Sequence, residues 1–464
     1  MNLYREEAGN MFKLAVPLAL AQLAQNSTSL VDTIMVGKLG DDALAGIAIG
    51  ATMFHFVSLV IAGVIYSVSP IVSQALGANE PDKIGRAVRQ GFWIAAIGFV
   101  PALLVYWNAA PILRWTGQEE SVVRLSSGYL QAISFGMLPA MLTVALRGLL
   151  EGVSDTKPIL IISVVGVGLN VFFNNALMFG QYGLPKLGLV GTGVASSIVY
   201  TLVFLAMSGY VWYKHAGYRV FHEIRSPDPK MIGELLRVGM PIAVTIFFEF
   251  TMFAVCSFAM GVLGAKELAA HQIALQSASA TFMLPLGISL ATTVRVGFFV
   301  GEGDRMRSKV AGQVGMMMAA GVMSLMALVF WLMPRTIVSM YLDVANPENQ
   351  MVVELAIMFL GIAALFQVVD GLQVSASAGL RGLKETRAAM VCTLVAYWLV
   401  GIPACVLLSF EFDLFGLGSF GLGWGGSGLW YGLTIGLAAA ASVLMARFHW
   451  EFRGEKGVRS PFNV

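Results

Sequence analysis

Twelve apolar runs, each of 23 residues or more, follow one another with only short polar links between them. They fall at 14–36, 46–76, 88–110, 122–146, 158–180, 188–213, 238–262, 268–294, 310–333, 351–378, 388–410 and 421–446. A run of this length crosses a hydrocarbon core about 30 Å thick as a helix. An open sheet at that depth would leave main-chain polar groups unsatisfied in lipid. The sequence therefore predicts an all-α integral membrane protein. Composition agrees: 57% of residues are hydrophobic and 12% charged, with a mean hydropathy of +0.76, whereas a soluble domain carries about 25% charged residues. No link between runs is long enough to hold a separate soluble core. The net charge of +2 offers nothing for nucleic acid. Cys256, Cys392 and Cys405 all lie inside apolar runs, and an odd number so placed argues against a disulfide framework. The opening MNLYREEAGNMFK is polar and leads directly into a full-length run, which is not the pattern of a cleavable signal. The tail RGEKGVRSPFNV reads as a loose end.

Basic residues give the orientation, because cytoplasmic links carry an excess of Lys and Arg. With the N-terminus in the cytoplasm, 23 of the 29 Lys and Arg fall on that side and 6 on the other. The bias needs an even number of spans. It predicts a multi-pass protein of the cytoplasmic (inner) membrane with both termini in the cytoplasm.

The two halves of the chain repeat. A shift of 224 places Pro17 on Pro241, Gly37 on Gly261, Gly40 on Gly264 and Gly77 on Gly301. Further on, a shift of 230 places Gly152 on Gly382. Six spans per half give both repeats the same orientation, related by an axis along the membrane normal. The longest polar link, 214–237, lies between them. The expected domains are 1–225, the N-terminal lobe, and 226–464, the C-terminal lobe.

Few ionisable side chains lie well inside the runs. Glu249 is 12 residues past Arg237, roughly 18 Å along a helix. Asp370 is 11 residues before Arg381, roughly 16 Å. Both come near mid-depth, where a bare carboxylate costs roughly 3 kcal/mol or more. No Lys or Arg sits at that depth to neutralise them. Each must be protonated, hold a metal cation such as Na⁺, or face an organic cation. The bland alternative is a protonated carboxyl that only ties helices together. The position matching Glu249 in the first half is Gln25, so the halves share a frame but not this charge.

Asp32 lies in the outer half of the first run. Asn170 and Asn174, spaced i, i+4, share one helix face, and Thr192 opens the sixth run. These four are a candidate polar network; interhelical hydrogen bonding alone would also account for Asn170 and Asn174. Phe247 and Phe253 flank Glu249 in sequence, and a cation gains from a carboxylate and a ring face together. Phe247, Phe253, Met283 and Gln272 are candidate cavity-lining residues, against the reading that they pack helices or face lipid. For His271 a capping or packing role is favoured.

The stretches VPLALAQLAQNSTSLVDTIMVGKLG (16–40), AAHQIALQSASATFMLPLGISLATTVRVG (269–297), VVDGLQ (368–373) and GLRGLKETR (379–387) resemble the multidrug and toxic compound extrusion family, MATE, in its NorM-like branch. The resemblance runs over essentially 10–450. It implies twelve transmembrane helices in two pseudo-symmetric six-helix lobes around a central cavity. It implies export of cationic and amphipathic organic compounds, driven by inward Na⁺ or H⁺. Glu249 and Asp370 match the acidic positions of the family's C-lobe cation site. Asp32, Asn170, Asn174 and Thr192 match an N-lobe network, in which some members carry an acid where this chain has Asn174.

Other classes fit less well. There is no G-x-x-x-x-G-K-[ST] phosphate loop to drive transport with ATP, no hydrolase elbow and no His/Cys cluster. A lipid-carrier flippase of the same architecture would need a basic cavity, and no run carries a mid-span Lys or Arg. A membrane enzyme would need a nucleophile and base at one depth, and a non-transporting receptor gives no reason for the repeat. The expected partners are small organic cations and membrane lipid, with the chain acting as a monomer. No cofactor is expected beyond the coupling ion.

Overall fold

The computed structural model describes residues 2–413 and 419–453. In chain order the helices are α1 (Asn2–Gly37), α2 (Asp41–Ile65), α3 (Val68–Gly77), α4 (Pro81–Trp107), α5 (Ala109–Trp115), α6 (Glu120–Gly152), α7 (Lys157–Met178) and α8 (Leu189–Lys214). They continue as α9 (Pro229–Leu263), α10 (Ala265–Glu302), α11 (Arg305–Leu332), α12 (Pro334–Ser339), α13 (Gln350–Gly382), α14 (Thr386–Leu394), α15 (Ile402–Ser409) and α16 (Gly425–Glu451). The one sheet among the described residues is a two-residue ladder, β1 (Phe412–Asp413) against β2 (Ser419–Phe420). Most of the C-terminal tail, from 454 on, lies outside the described residues.

Eleven helices, with α2 joined to α3 and α14 to α15, are long and apolar enough to cross a membrane. The twelfth long helix, α1, has 36 residues, and Gln22, Gln25, Asn26, Ser27, Thr28 and Asp32 lower its hydropathy. The apolar runs and the helices agree closely except at two starts. α1 begins at Asn2 and α9 at Pro229, well before their apolar runs.

The contacts explain those early starts. The chain forms two compact units, Leu20–Ala243 as one and Met1–Ala19 with Val244–Val464 as the other. These units do not follow the 225/226 boundary expected from chain order. The first part of each half's first helix belongs to the unit built by the other half. In the unit containing α10, Arg295 makes two 2.6 Å hydrogen bonds to the buried Glu7 carboxylate, and Tyr4 donates to Gln313. In the other unit, Lys83 lies 3.9 Å from Glu234 and Arg86 3.5 Å from Asp228. These partners give the polar ends of α1 and α9 a reason to stay helical. The exchange obeys the repeat: Ala19 and Ala243, the last residues before each change of unit, are again 224 apart. Pro17 and Pro241 lie two residues earlier, inside their helices. A proline there removes one helical hydrogen bond.

The core that positions the carboxyls is in the unit of α10, α13 and α16. It includes Met252, Cys256 and Met260 from α9, Phe359 and Phe366 from α13, and Trp430 from α16. A stripe of glycines on α16 draws the α14–α15 span against it. A Cβ on Gly428 would lie 2.5 Å from the Leu408 carbonyl oxygen, one on Gly432 2.5 Å from Cys405 Cα, and one on Gly436 2.8 Å from Gly401 Cα. Small residues at i, i+4, i+8 let helix backbones approach where lipid supplies no hydrophobic drive.

Candidate functional site

Asp370 sits on α13 in the middle of a helix whose neighbours Phe366, Gln367, Gly371 and Gln373 are also buried. The residue is 6% exposed, and its Oδ1 has no hydrogen-bond partner among the described residues. Glu249 sits on α9 and is half-buried. Each carboxyl lies within Coulombic reach of the other. The second-half acids expected from sequence therefore lie within electrostatic reach of one another in the same unit.

A third member was not among the sequence candidates. Tyr397 is fully buried, its hydroxyl has no partner among the described residues, and it lies within electrostatic reach of both carboxyls. It sits in a π-helical segment, Val395–Gly401, that joins α14 to α15. Pro403 follows at the start of α15. Its missing N–H leaves the carbonyl four residues earlier without a helical partner, a common origin of such a bulge. π-Bulges are frequent at functional positions. The signal in the sequence was a mid-run Tyr beside a proline, YWLVGIP, facing the glycine stripe GLWYGLTIG of the next run.

Arg381, in the last turn of α13, also acts on Glu249 through its charge. A guanidinium at the helix end is therefore within the same electrostatic reach of Glu249 as Asp370 is, although no Lys or Arg stands beside the acids in the apolar run itself. The cluster thus joins two carboxyls and a phenol in a site that excludes most water. Hard cations take oxygen ligands of this kind.

The other unit holds the Asp32 network. Asn174 Nδ2 donates to Asp32 Oδ1 at 2.5 Å and to Asn170 Oδ1 at 3.2 Å. Asp32 is 9% exposed and both asparagines are fully buried. The i, i+4 spacing of Asn170 and Asn174 on α7 sets up this relay. Tyr129 and Tyr200 lie within Coulombic reach of Asp32. Thr192 does not bond to this group. It is buried at the start of α8, and its hydroxyl bonds the sulfur of Met178 at 3.2 Å, because the α8 start packs on the end of α7.

The four proposed lining residues differ. Phe253 packs on the hydrophobic core, edge-on to Phe366 with ring centroids 6.1 Å apart. Phe247 stands edge-on to Phe248, which in turn meets Trp398. Met283 is half-buried and Gln272 is exposed. His271 is fully buried, bonds Ser257 at 3.1 Å and packs 5.5 Å from the Trp430 ring, which fits the packing role favoured for it.

Two repeated units of long apolar helices, with acids set inside them, define a polytopic helical membrane protein. The chain belongs to the MatE family, whose model matches residues 17–176 and 241–407. The two matched segments begin at the two prolines related by the 224-residue shift. Among its relatives, the chain is 37% identical over 456 residues to the "Probable multidrug resistance protein NorM" of Pseudomonas putida, covering 97% of this chain and 96% of that one. It is 38% identical over 440 residues to the "Multidrug resistance protein NorM" of Burkholderia vietnamiensis, covering 94% and 92%. Its fold is similar to that of the eukaryotic MATE transporter AtDTX14, with a TM-score of 0.82 at 21% identity and 96% of both chains covered. An outward-facing multidrug resistance MATE family transporter of the MOP superfamily matches with a TM-score of 0.85 at 18% identity and 97% of both chains covered.

Proposed function

We propose that the chain is a secondary antiporter that exports cationic and amphipathic organic compounds in exchange for inward movement of Na⁺ or H⁺. The observation that carries this reading is the Glu249–Asp370–Tyr397 cluster, with Asp370 Oδ1 and the Tyr397 hydroxyl unpartnered among the described residues. A buried carboxyl is tolerated when a proton, a metal ion or an organic cation satisfies it. Those three occupants exclude one another. Exclusion at one site is what couples one flux to the opposite flux. The naming of two relatives for multidrug resistance supports the class of cargo.

The ion enters from outside and favours the outward-facing state, in which cargo leaves. Cargo arriving from the cytoplasm or inner leaflet displaces the ion, and the lobes return by alternating access. Na⁺, as the transported ion, would take oxygens from Glu249, Asp370 and Tyr397; H⁺ would take a carboxyl alone. The Asp32–Asn174–Asn170 relay is a separate contributor in the other unit. The bias of 23 Lys and Arg to 6 supports a cytoplasmic-membrane location with both termini inside. The chain works as a monomer with no prosthetic group.

Purified protein in sealed vesicles, loaded with a cationic dye, tests the reading. An imposed Na⁺ gradient and an imposed pH gradient are applied in separate runs, and movement under one of them identifies the ion. No movement under either gradient overturns the antiport reading.

A further inference from the structure

A cleft of about 680 Å³ lies between the last turns of α8 and the segment 215–222 that follows it. This is within the roughly 300–1,000 Å³ range of small-molecule sites. Its walls are largely apolar, with Phe204, Leu205 and Trp212 from α8 and Phe221 from the returning chain. Leu205 is 56% and Trp212 73% exposed. On a membrane-spanning helix such a face meets lipid, and an exposed Trp near the helix end marks the headgroup level. Gly209 opens the cleft: a Cβ there would meet nothing within 4 Å.

The one charged side chain in the lining is Arg219. Arg219, His215 and His222 line the cleft, and no carboxylate does. His215 is held by Asp155, 2.9 Å away, and stacks on Tyr218 with centroids 5.9 Å apart. The Arg219 guanidinium has no hydrogen-bond or ion-pair partner among the described residues. The buried Ser208 hydroxyl in the same wall also lacks a partner. The returning segment is fixed from behind. Arg89 donates to the Arg219 carbonyl at 2.7 Å, and the Trp93 indole donates to the Ile224 carbonyl at 2.9 Å. The cleft is therefore built before any ligand arrives.

We propose that this cleft binds an anionic glycerophospholipid of the adjacent leaflet, with an acyl chain along α8 at Gly209 and the phosphate at Arg219. The chemistry selects this occupant. An apolar trough opening toward hydrocarbon suits an acyl chain, and an unpaired guanidinium at its mouth suits a phosphate. An organic cation finds no carboxylate here, so the transported class is turned away. The inference rests on the chain spanning a membrane and is independent of which ion drives transport.

Native mass spectrometry of the full-length protein in detergent, titrated with dioleoylphosphatidylglycerol or dioleoylphosphatidylcholine, tests it. Wild type is expected to retain phosphatidylglycerol in preference to phosphatidylcholine. Arg219→Glu lowers retained phosphatidylglycerol by about tenfold. Gly209→Phe, which fills the trough, lowers retention of the lipid whatever its headgroup. Soluble glycerol 3-phosphate does not displace the lipid. Dye transport and the thermal unfolding temperature of both variants, read beside wild type, separate lipid loss from misfolding. Equal retention of both lipids by wild type, or unchanged phosphatidylglycerol retention in Gly209→Phe, overturns the proposal. Displacement by glycerol 3-phosphate alone would reduce the site to a phosphate site and overturn the acyl-chain assignment.

Discussion

Gly287 approaches the backbone of Ala19 so closely that a Cβ on the glycine would stand 2.5 Å from the Ala19 Cα. One repeat earlier, a Cβ on Gly63 would stand 2.6 Å from the Ala243 Cα. Both members of each pair obey the 224-residue shift. The exchange of helix ends between the two halves is therefore made twice, by the same residue types, and the repeat extends to individual atoms.

Gly287→Ala is expected to lower stability by about 1–3 kcal/mol, since the new methyl meets backbone that can move only with its helix. Gly63→Ala should do the same. Thermal unfolding in detergent measures both. A helix glycine with open space around it, Gly321, serves as the control. If all three variants melt together, close approach is not what these glycines provide.

Asp370→Asn is expected to abolish dye efflux while leaving the protein at wild-type levels in the membrane. Tyr397→Phe separates the hydroxyl from the packing. It should keep the fold and weaken apparent affinity for the coupling ion by about ten- to a hundredfold, in line with the ~1.5–3 kcal/mol of a hydrogen bond to a charged group. Dye efflux against ion concentration gives that affinity. An unchanged ion dependence in Tyr397→Phe removes the phenol from the site, and wild-type efflux by Asp370→Asn removes the site itself.

Asn174 donates to Asp32 at 2.5 Å, while Asn170 accepts from Asn174 and acts on Asp32 more weakly. Asn174→Ala leaves a buried carboxyl without its donor and should cost about 1–3 kcal/mol. Asn170→Ala should cost less, because Asn174 keeps its bond to Asp32. Unfolding temperatures rank the two, and the reverse order would contradict the relay.

Asp155, in the turn between α6 and α7, lies outside the spans. Burial raises its carboxyl, but hydrogen bonds from His215, Tyr210 and Lys214 outweigh this and hold it below the ordinary 3.8. A depressed carboxyl stabilises the fold above its unfolded pKa, and that contribution fades as pH falls through the folded value. The segment 210–218 should therefore keep its hydrogen-exchange protection at neutral pH and lose it below pH ~4. Asp155→Asn should lose part of that protection already at pH 7. Equal protection of wild type and variant at pH 7 would show that Asp155 does not anchor the segment.

Much of this was legible from the chain. The spans could be read because lipid demands long apolar helices, and the repeat because glycines and prolines keep their spacing. Glu249, Asp370 and Asp32 stood out because charge is rare at that depth. Tyr397 did not stand out, since a phenol in an apolar run looks like any other aromatic. Only its buried hydroxyl, within electrostatic reach of both carboxyls, distinguishes it. Thr192 was grouped with the asparagines by polarity and depth, but its hydroxyl turns to a methionine sulfur because of how α8 meets α7.

The sequence by itself determined the class of fold, the succession of long apolar helices and the few acids that lipid would not hide. These follow from solvation, which acts residue by residue. The tertiary structure alone decided which unit each helix end joins, which acids share a site, and that a tyrosine completes it. Those are matters of long-range packing, and linear order does not record it: residues 2–19 and 244–263 serve one unit although more than half the chain separates most of them.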